Sequence, residues 1–88
     1  MRQQNDKNLD RRLSIIEGQI RGLRDLIAKG AYCIDVITQT SAVKQALSGV
    51  EDILLENHLN TCVVNQIKKG REKKAAEEII KVYKLKRR

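Results

Sequence analysis

Three side chains of this 88-residue chain carry donor atoms that bind soft metal ions: Cys33, His58 and Cys62. His58 and Cys62 are four residues apart in the stretch His58-Leu59-Asn60-Thr61-Cys62, so on a helix they share one face and can bind one metal ion together. Two thiolates and one imidazole form a soft, three-coordinate set that suits Cu(I), whereas Zn(II) favours a fourth ligand. The donor set therefore favours copper.

The position of Cys33 indicates that one protomer does not complete this site. If Cys33 begins the helix that holds His58, the two residues are 25 positions apart, or roughly 37 Å at about 1.5 Å per residue. A second, antiparallel copy of the helix would bring its own Cys33 to this copy's His58 and Cys62. The spacing therefore predicts a metal site that forms only on oligomerisation.

Two other interpretations of the same side chains are open. In the first, the cysteines are small buried hydrophobic residues and His58 is a hydrogen-bonded interface histidine. In the second, a cysteine and His58 act in nucleophilic catalysis. The second is disfavoured because no Asn or Asp is placed to orient the histidine and a small helical chain has little room for a substrate pocket. We expect that the protein is not an enzyme.

The composition predicts an all-α, oligomeric protein. Pro is absent, only two residues are aromatic, and Lys, Glu, Gln and Arg dominate the polar positions. A chain of this length buries a modest core, so oligomerisation is expected. The sequence shows no signal peptide and no apolar run of membrane-spanning length, which predicts a soluble, cytoplasmic protein with reduced thiols.

The net charge of +7 is distributed unevenly along the chain. Residues 1–30 sum to +3, residues 31–67 to −3 and residues 68–88 to +7. An acidic middle between basic ends suggests a centre that forms the assembly and ends that face a polyanion, most simply DNA or RNA. In the alternative interpretation, the basic residues near the C-terminus form a solvated, lysine-rich tail that does not bind nucleic acid.

Apolar periodicity predicts three helices in a single domain of residues 1–88. Steps of four and three residues run from Leu9 through Ile27 and again from Val36 through Leu54, the pattern of helices packed on other helices. The expected helices cover about 6–29, 33–67 and 72–85, with Gly30 ending the first one. Helix 1 and helix 2 form a hairpin, and helix 3 is short.

Blocks throughout the chain resemble the copper-sensitive operon repressor family, CsoR, part of a wider group that includes nickel, formaldehyde and persulfide sensors. The blocks are Arg12-Leu13, Glu17-Gly18-Gln19-Ile20-Arg21-Gly22, Ala31-Tyr32-Cys33-Ile34-Asp35-Val36, Gln39-Thr40-Ser41-Ala42-Val43 and His58-Leu59-Asn60-Thr61-Cys62-Val63. The resemblance implies an antiparallel four-helix dimer, a flat homotetramer of two dimers and a metal site between protomers. It also implies a repressor that binds operator DNA when metal-free and releases it when Cu(I) binds.

The ligand set Cys33, His58 and Cys62 is similar to that of the copper(I) branch. Persulfide sensors usually lack the histidine, formaldehyde sensors lack the second cysteine, and nickel and cobalt sensors carry further nitrogen ligands. The resemblance implies that Tyr32 and Glu78 bond to the histidine and transmit the metal signal, with Glu77 as the second candidate for the acid. The alternative function is a persulfide or thiol-oxidation sensor in which Cys33 and Cys62 form the switch.

No helix-turn-helix signature is apparent, so DNA contacts are expected on the basic face of an assembled tetramer. Arg12 matches a basic position that the family uses for DNA, and Arg11, Arg21 and Lys44 are further candidates. Gly49 departs from the pattern, because some relatives carry an arginine there. Lys44 or the basic C-terminus would then supply the positive charge that Gly49 lacks.

Overall fold

The computed structural model describes residues 6–87, and the described residues form only helices and turns. Helix α1 spans Asp6–Ala28 and α2 spans Cys33–Asn57. A π-helical turn, His58–Val63, follows directly and continues into α3, Val64–Lys68. Helix α4 spans Glu72–Lys86. The predicted all-α class is confirmed and the predicted helix ends agree to within a residue, but the π-helical turn inside the second helix was not predicted.

Two glycines end helices in the left-handed conformation. Gly30 has φ 70° and Gly70 has φ 73°, values that carry no steric cost for glycine. At Gly30 the amide donates to the Ile27 carbonyl and the next amide, that of Ala31, donates to Leu26. The same pair of bonds recurs at Gly70, and this Schellman arrangement satisfies carbonyls that the helix end leaves open. The predicted role of Gly30 is confirmed.

The chain divides into two compact units with the boundary between Leu54 and Leu55. In the first unit, buried side chains of α1 and α2 form one cluster that contains Leu9, Ile16, Val43 and Val50. Its members recur at steps of seven residues, so each helix presents one stripe to the other. This core is small, in keeping with the length of the chain.

Many large apolar side chains remain exposed in the single chain. Ile27 is 63% exposed, Ile37 59% and Tyr83 63%. Isolated exposed apolar residues are common, but so many on short helices are typical of surfaces that other protein covers. The second unit also has a small core. Helix α3 packs on α4, and among the described residues of this unit Ala75 is the buried one, 3% exposed.

Among the described residues, no helix combines the length and the apolar character that a membrane crossing needs.

Candidate metal centre

The predicted ligands His58 and Cys62 lie in the π-helical turn that joins α2 to α3. Isolated π-helical turns of this kind are rare and are frequent at functional sites. The Thr61 hydroxyl donates a hydrogen bond of 2.7 Å to the Asn57 carbonyl, four residues earlier. Thr38 and Thr40 make the same bond, at 2.8 Å, to carbonyls four residues earlier within the regular helix α2, so this bond alone does not account for the wider turn.

Cys62 is half-buried beside this threonine. The Thr61 Oγ1 atom lies 3.7 Å from the Cys62 Sγ atom, within hydrogen-bonding distance for sulfur. Both cysteines of the chain are thiols, and Cys33 is exposed. The sulfur of Cys62 therefore sits in a polar setting on the same short turn as the imidazole of His58.

His58 turns one ring nitrogen toward Glu78 of α4. The His58 Nε2 atom lies 3.8 Å from Glu78 Oε1, and the two side chains are 32% and 43% exposed. This distance is longer than a hydrogen bond and suits an ion pair only when the imidazole is protonated. With Nε2 directed at the carboxylate, Nδ1 is the nitrogen that remains for a metal ion.

Gln66 of α3 holds the same carboxylate. Its Nε2 atom donates a 2.9 Å hydrogen bond to Glu78 Oε1. This bond is the main cause that lowers the pKa of Glu78, and the positive charges of Lys74, His58 and Lys81 act in the same direction while burial opposes them. Gln66 was not among the predicted site residues.

Replacing Gln66 with Met is expected to raise the pKa of Glu78 toward the ordinary value, because the principal stabilising donor for the carboxylate is removed. Since the folded-state pKa is lowered, the contribution of this contact to stability is present above the ordinary glutamate pKa and is lost as pH falls through the lowered value. Carbon-13 NMR titration of the Glu78 carboxyl in metal-free protein measures the shift. An unchanged titration curve in Gln66→Met would contradict this account.

The remaining predicted ligand and its neighbour lie in the first unit. Cys33 begins α2, and Tyr32 precedes it with 68% of its surface exposed. Among residues 6–87, no three His, Cys, Asp or Glu side chains of one chain are grouped so that they could hold a metal ion. The structure thus brings His58, Cys62 and Glu78 into one unit and leaves Cys33 and Tyr32 in the other. Glu77, the second candidate for the acid, is exposed.

The predicted DNA-contacting residues Arg11, Arg12, Arg21 and Lys44 are all exposed. Arg12 lies against α2 at Gly49, where an added Cβ atom would be 3.7 Å from the Arg12 Nη1 atom. That spacing is ordinary van der Waals contact. The Arg12 guanidinium therefore occupies the surface beside the position at which the sequence departs from the family pattern.

A chain with this helical fold, and with thiol and imidazole donors on one turn, belongs to the metal-sensitive transcriptional repressors. The model of that family matches residues 5–84. A similar protein, the copper-sensing transcriptional repressor CsoR of Bacillus subtilis (strain 168), is 41% identical over 73 residues, which cover 83% of this chain and 72% of that protein. The copper-sensing transcriptional repressor RicR of Mycobacterium tuberculosis (strain ATCC 25618 / H37Rv) is 47% identical over 68 residues, 77% of this chain and 70% of the relative.

A solved structure agrees with these sequence relatives. The crystal structure of the copper-sensing repressor CsoR with Cu(I) from Geobacillus thermodenitrificans NG80-2 matches with a TM-score of 0.90 and 36% sequence identity, covering 100% of this chain and 93% of that chain. The family resemblance inferred from the sequence is confirmed. Because the family consists of transcriptional repressors, the expectation that the protein is not an enzyme is also confirmed.

Proposed function

We propose that this protein is a cytoplasmic, Cu(I)-responsive repressor that binds operator DNA when metal-free and releases it when Cu(I) binds. The observation that carries the proposal is the placement of His58 and Cys62 on one turn, with the far nitrogen of His58 directed at Glu78. Relatives that are named copper-sensing repressors support the choice of metal. Residues 1–88 would act as one metal-sensing, DNA-binding domain.

The proposed ligands are His58 and Cys62 of one protomer and Cys33 of its partner. This donor set fits Cu(I), because two thiolates and one imidazole complete a three-coordinate site for a soft ion. Bound Cu(I) would supply a soft Lewis acid that the two sulfurs and Nδ1 of the imidazole would hold. His58 Nε2 then carries the proton, because a metal on one ring nitrogen fixes the tautomer at the other.

Glu78 is the acceptor that faces this proton. It lies on α4, so a hydrogen bond from His58 Nε2 would connect metal binding to the position of that helix. Tyr32, directly before Cys33, is the proposed second partner of the histidine. Metal binding would thus favour one arrangement of the assembly, and DNA binding would favour a different one. Two ligands that prefer different arrangements weaken each other's binding.

The exposed apolar side chains support assembly into a homodimer and a homotetramer. A protomer with so small a core gains much of its apolar burial from other copies. An antiparallel partner also supplies the Cys33 that the site needs. The metal site and the assembly therefore depend on one another.

The basic residues Arg12, Arg11, Arg21 and Lys44 are the proposed DNA surface. Without a recognition helix, contacts to phosphates dominate, and affinity for double-stranded DNA falls steeply with salt. The guanidinium of Arg12 lies beside Gly49, the position at which some relatives carry an arginine, and would supply a positive charge there.

Replacing Arg12 with Ala is expected to weaken binding of metal-free protein to operator DNA by about tenfold and to reduce the slope of log affinity against log salt by about one. The reason is the loss of one phosphate contact. Fluorescence anisotropy with labelled operator DNA at several salt concentrations measures both quantities. Arg24→Ala, a matched change of an exposed arginine on α1, should have a smaller effect; equal losses in the two variants would contradict a specific role for Arg12.

The proposed function is tested by anaerobic titration of the reduced protein with Cu(I) while binding to DNA from its own upstream region is followed. Release at about one Cu(I) per protomer is the expected result. Copper binding without release would overturn the proposal. Release that follows only treatment with persulfide, accompanied by a crosslink between Cys33 and Cys62, would instead support the thiol sensor.

A further inference from the structure

Two side chains of the helical segment that carries His58 and Cys62 place a nitrogen atom near the Glu78 carboxylate. Gln66 Nε2 is 2.9 Å from Glu78 Oε1, and His58 Nε2 is 3.8 Å from the same oxygen. The first distance is a hydrogen bond and the second is not. The carboxylate is therefore held by Gln66 and lies about 1 Å short of a hydrogen bond with His58.

The π-helical turn explains how residues eight positions apart reach one oxygen. In a regular α-helix, each residue turns by about 100°, so His58 and Gln66 would point about 80° apart. A π-helical turn contains more residues per turn. The rotation between His58 and Gln66 is accordingly closer to two whole turns, and both side chains lie on the side that faces α4.

We propose that Gln66 is a positioning residue of the metal response: its side-chain amide holds the Glu78 carboxylate beside His58, so that metal binding at His58 is transmitted to α4. This inference rests on the proposed function. It adds a residue that neither the donor set nor the family resemblance singled out. Gln66 acts through Glu78.

The direction of its effect follows from side-chain freedom. Glu78 is 43% exposed, so without Gln66 the carboxylate would sample many rotamers, and ordering it against His58 would cost conformational entropy. A carboxylate oxygen accepts more than one hydrogen bond, so the bond from Gln66 does not exclude the one from His58. Gln66 therefore prepares the contact that metal binding completes.

The test compares three variants with the unaltered chain. Gln66→Met keeps the length of the side chain and removes the donor. Gln66→Lys returns an N–H donor at the same position. Gln45→Met makes the same exchange at an exposed position of α2. If Gln66→Met does not fold, or if its thioether binds Cu(I), Gln66→Leu, which has neither a donor nor a soft ligand atom, replaces it.

Two quantities are measured for each variant under anaerobic conditions: the Cu(I) affinity and the factor by which Cu(I) weakens DNA binding. In Gln66→Met, Cu(I) affinity should stay within about threefold of the original, while the coupling factor falls by about tenfold. Gln66→Lys should recover most of the coupling, and Gln45→Met should behave as the unaltered chain. Hydrogen exchange of metal-free protein should also show faster opening of α4 around Glu78 in Gln66→Met alone.

Full coupling in Gln66→Met would overturn the inference while leaving the proposed function intact. A parallel loss of Cu(I) affinity and coupling, with no recovery in Gln66→Lys, would assign Gln66 a structural role and would also overturn it. If the unaltered chain does not release DNA with Cu(I), the proposed function fails, and the inference fails with it.

Discussion

Protomers with Cys33→Ala and protomers with Cys62→Ala will each lose the Cu(I) response, and an equal mixture of the two will recover part of it. Loss of a thiolate should weaken Cu(I) binding by more than about a hundredfold, since even partners outside the ligand set account for 10- to 100-fold. In a mixed dimer, one site combines an intact Cys33 with an intact His58 and Cys62. Random pairing then restores about one quarter of the sites.

The matched control mixes Cys62→Ala with His58→Ala protomers. These two residues belong to the same half of the proposed site, so no pairing of the variants assembles an intact one. Release of operator DNA by Cu(I) after co-refolding measures the result, because sites that keep both thiolates but lack His58 bind Cu(I) without releasing DNA. Recovery in the control mixture, or none in the first mixture, would contradict a site shared between antiparallel protomers.

Replacing His58 with Ala should leave Cu(I) binding measurable through the two thiolates and abolish release of DNA. The imidazole faces α4 through Glu78, at 3.8 Å. Allosteric couplings are typically about 1–3 kcal/mol, which corresponds to a change of about 5- to 150-fold in DNA affinity on metal binding. His58→Ala should lose this change. Cu(I) competition titrations and DNA binding, measured on the same samples, separate affinity from coupling.

Variants of the adjacent residues Glu77 and Glu78 are compared with His58→Ala for their copper response. Glu78→Gln should reproduce the loss of coupling, because a neutral amide is a weaker acceptor for the histidine proton. Glu77→Gln changes the same charge at an exposed neighbouring position and should leave coupling intact. A normal copper response in His58→Ala would rule out transmission through the histidine.

Much of the fold was predictable because its signals are local. The steps of apolar residues from Leu9 to Ile27 fix one face of α1, and Gly30 ends that helix for steric reasons. The structure confirms both, with Leu9 and Ile16 in the core. The family could likewise be predicted, since the five matching blocks are distributed along the chain from Arg12 to Val63.

The details of the candidate site were less accessible to sequence reasoning. The π-helical turn is a local change in the backbone hydrogen bonds of His58–Val63, and hydrophobic periodicity does not detect a wider turn. Gln66 carries no charge and is not a metal ligand, so only its distance to Glu78 reveals it. The one available signal was its position four residues after Cys62, on the same side of the helix.

The π-helical turn has a consequence for how this segment tolerates changes in length. A π-helical turn is equivalent to one residue inserted into an α-helix, and deletion of Asn60 would remove that extra residue. In the regular helix that results, the seven positions from His58 to Gln66 turn by about 700°, about 20° short of two whole turns, so both side chains would stay on the side of Glu78. The segment should therefore tolerate loss of the extra residue, whereas deletion of two residues would turn Gln66 by about 120° away from that side.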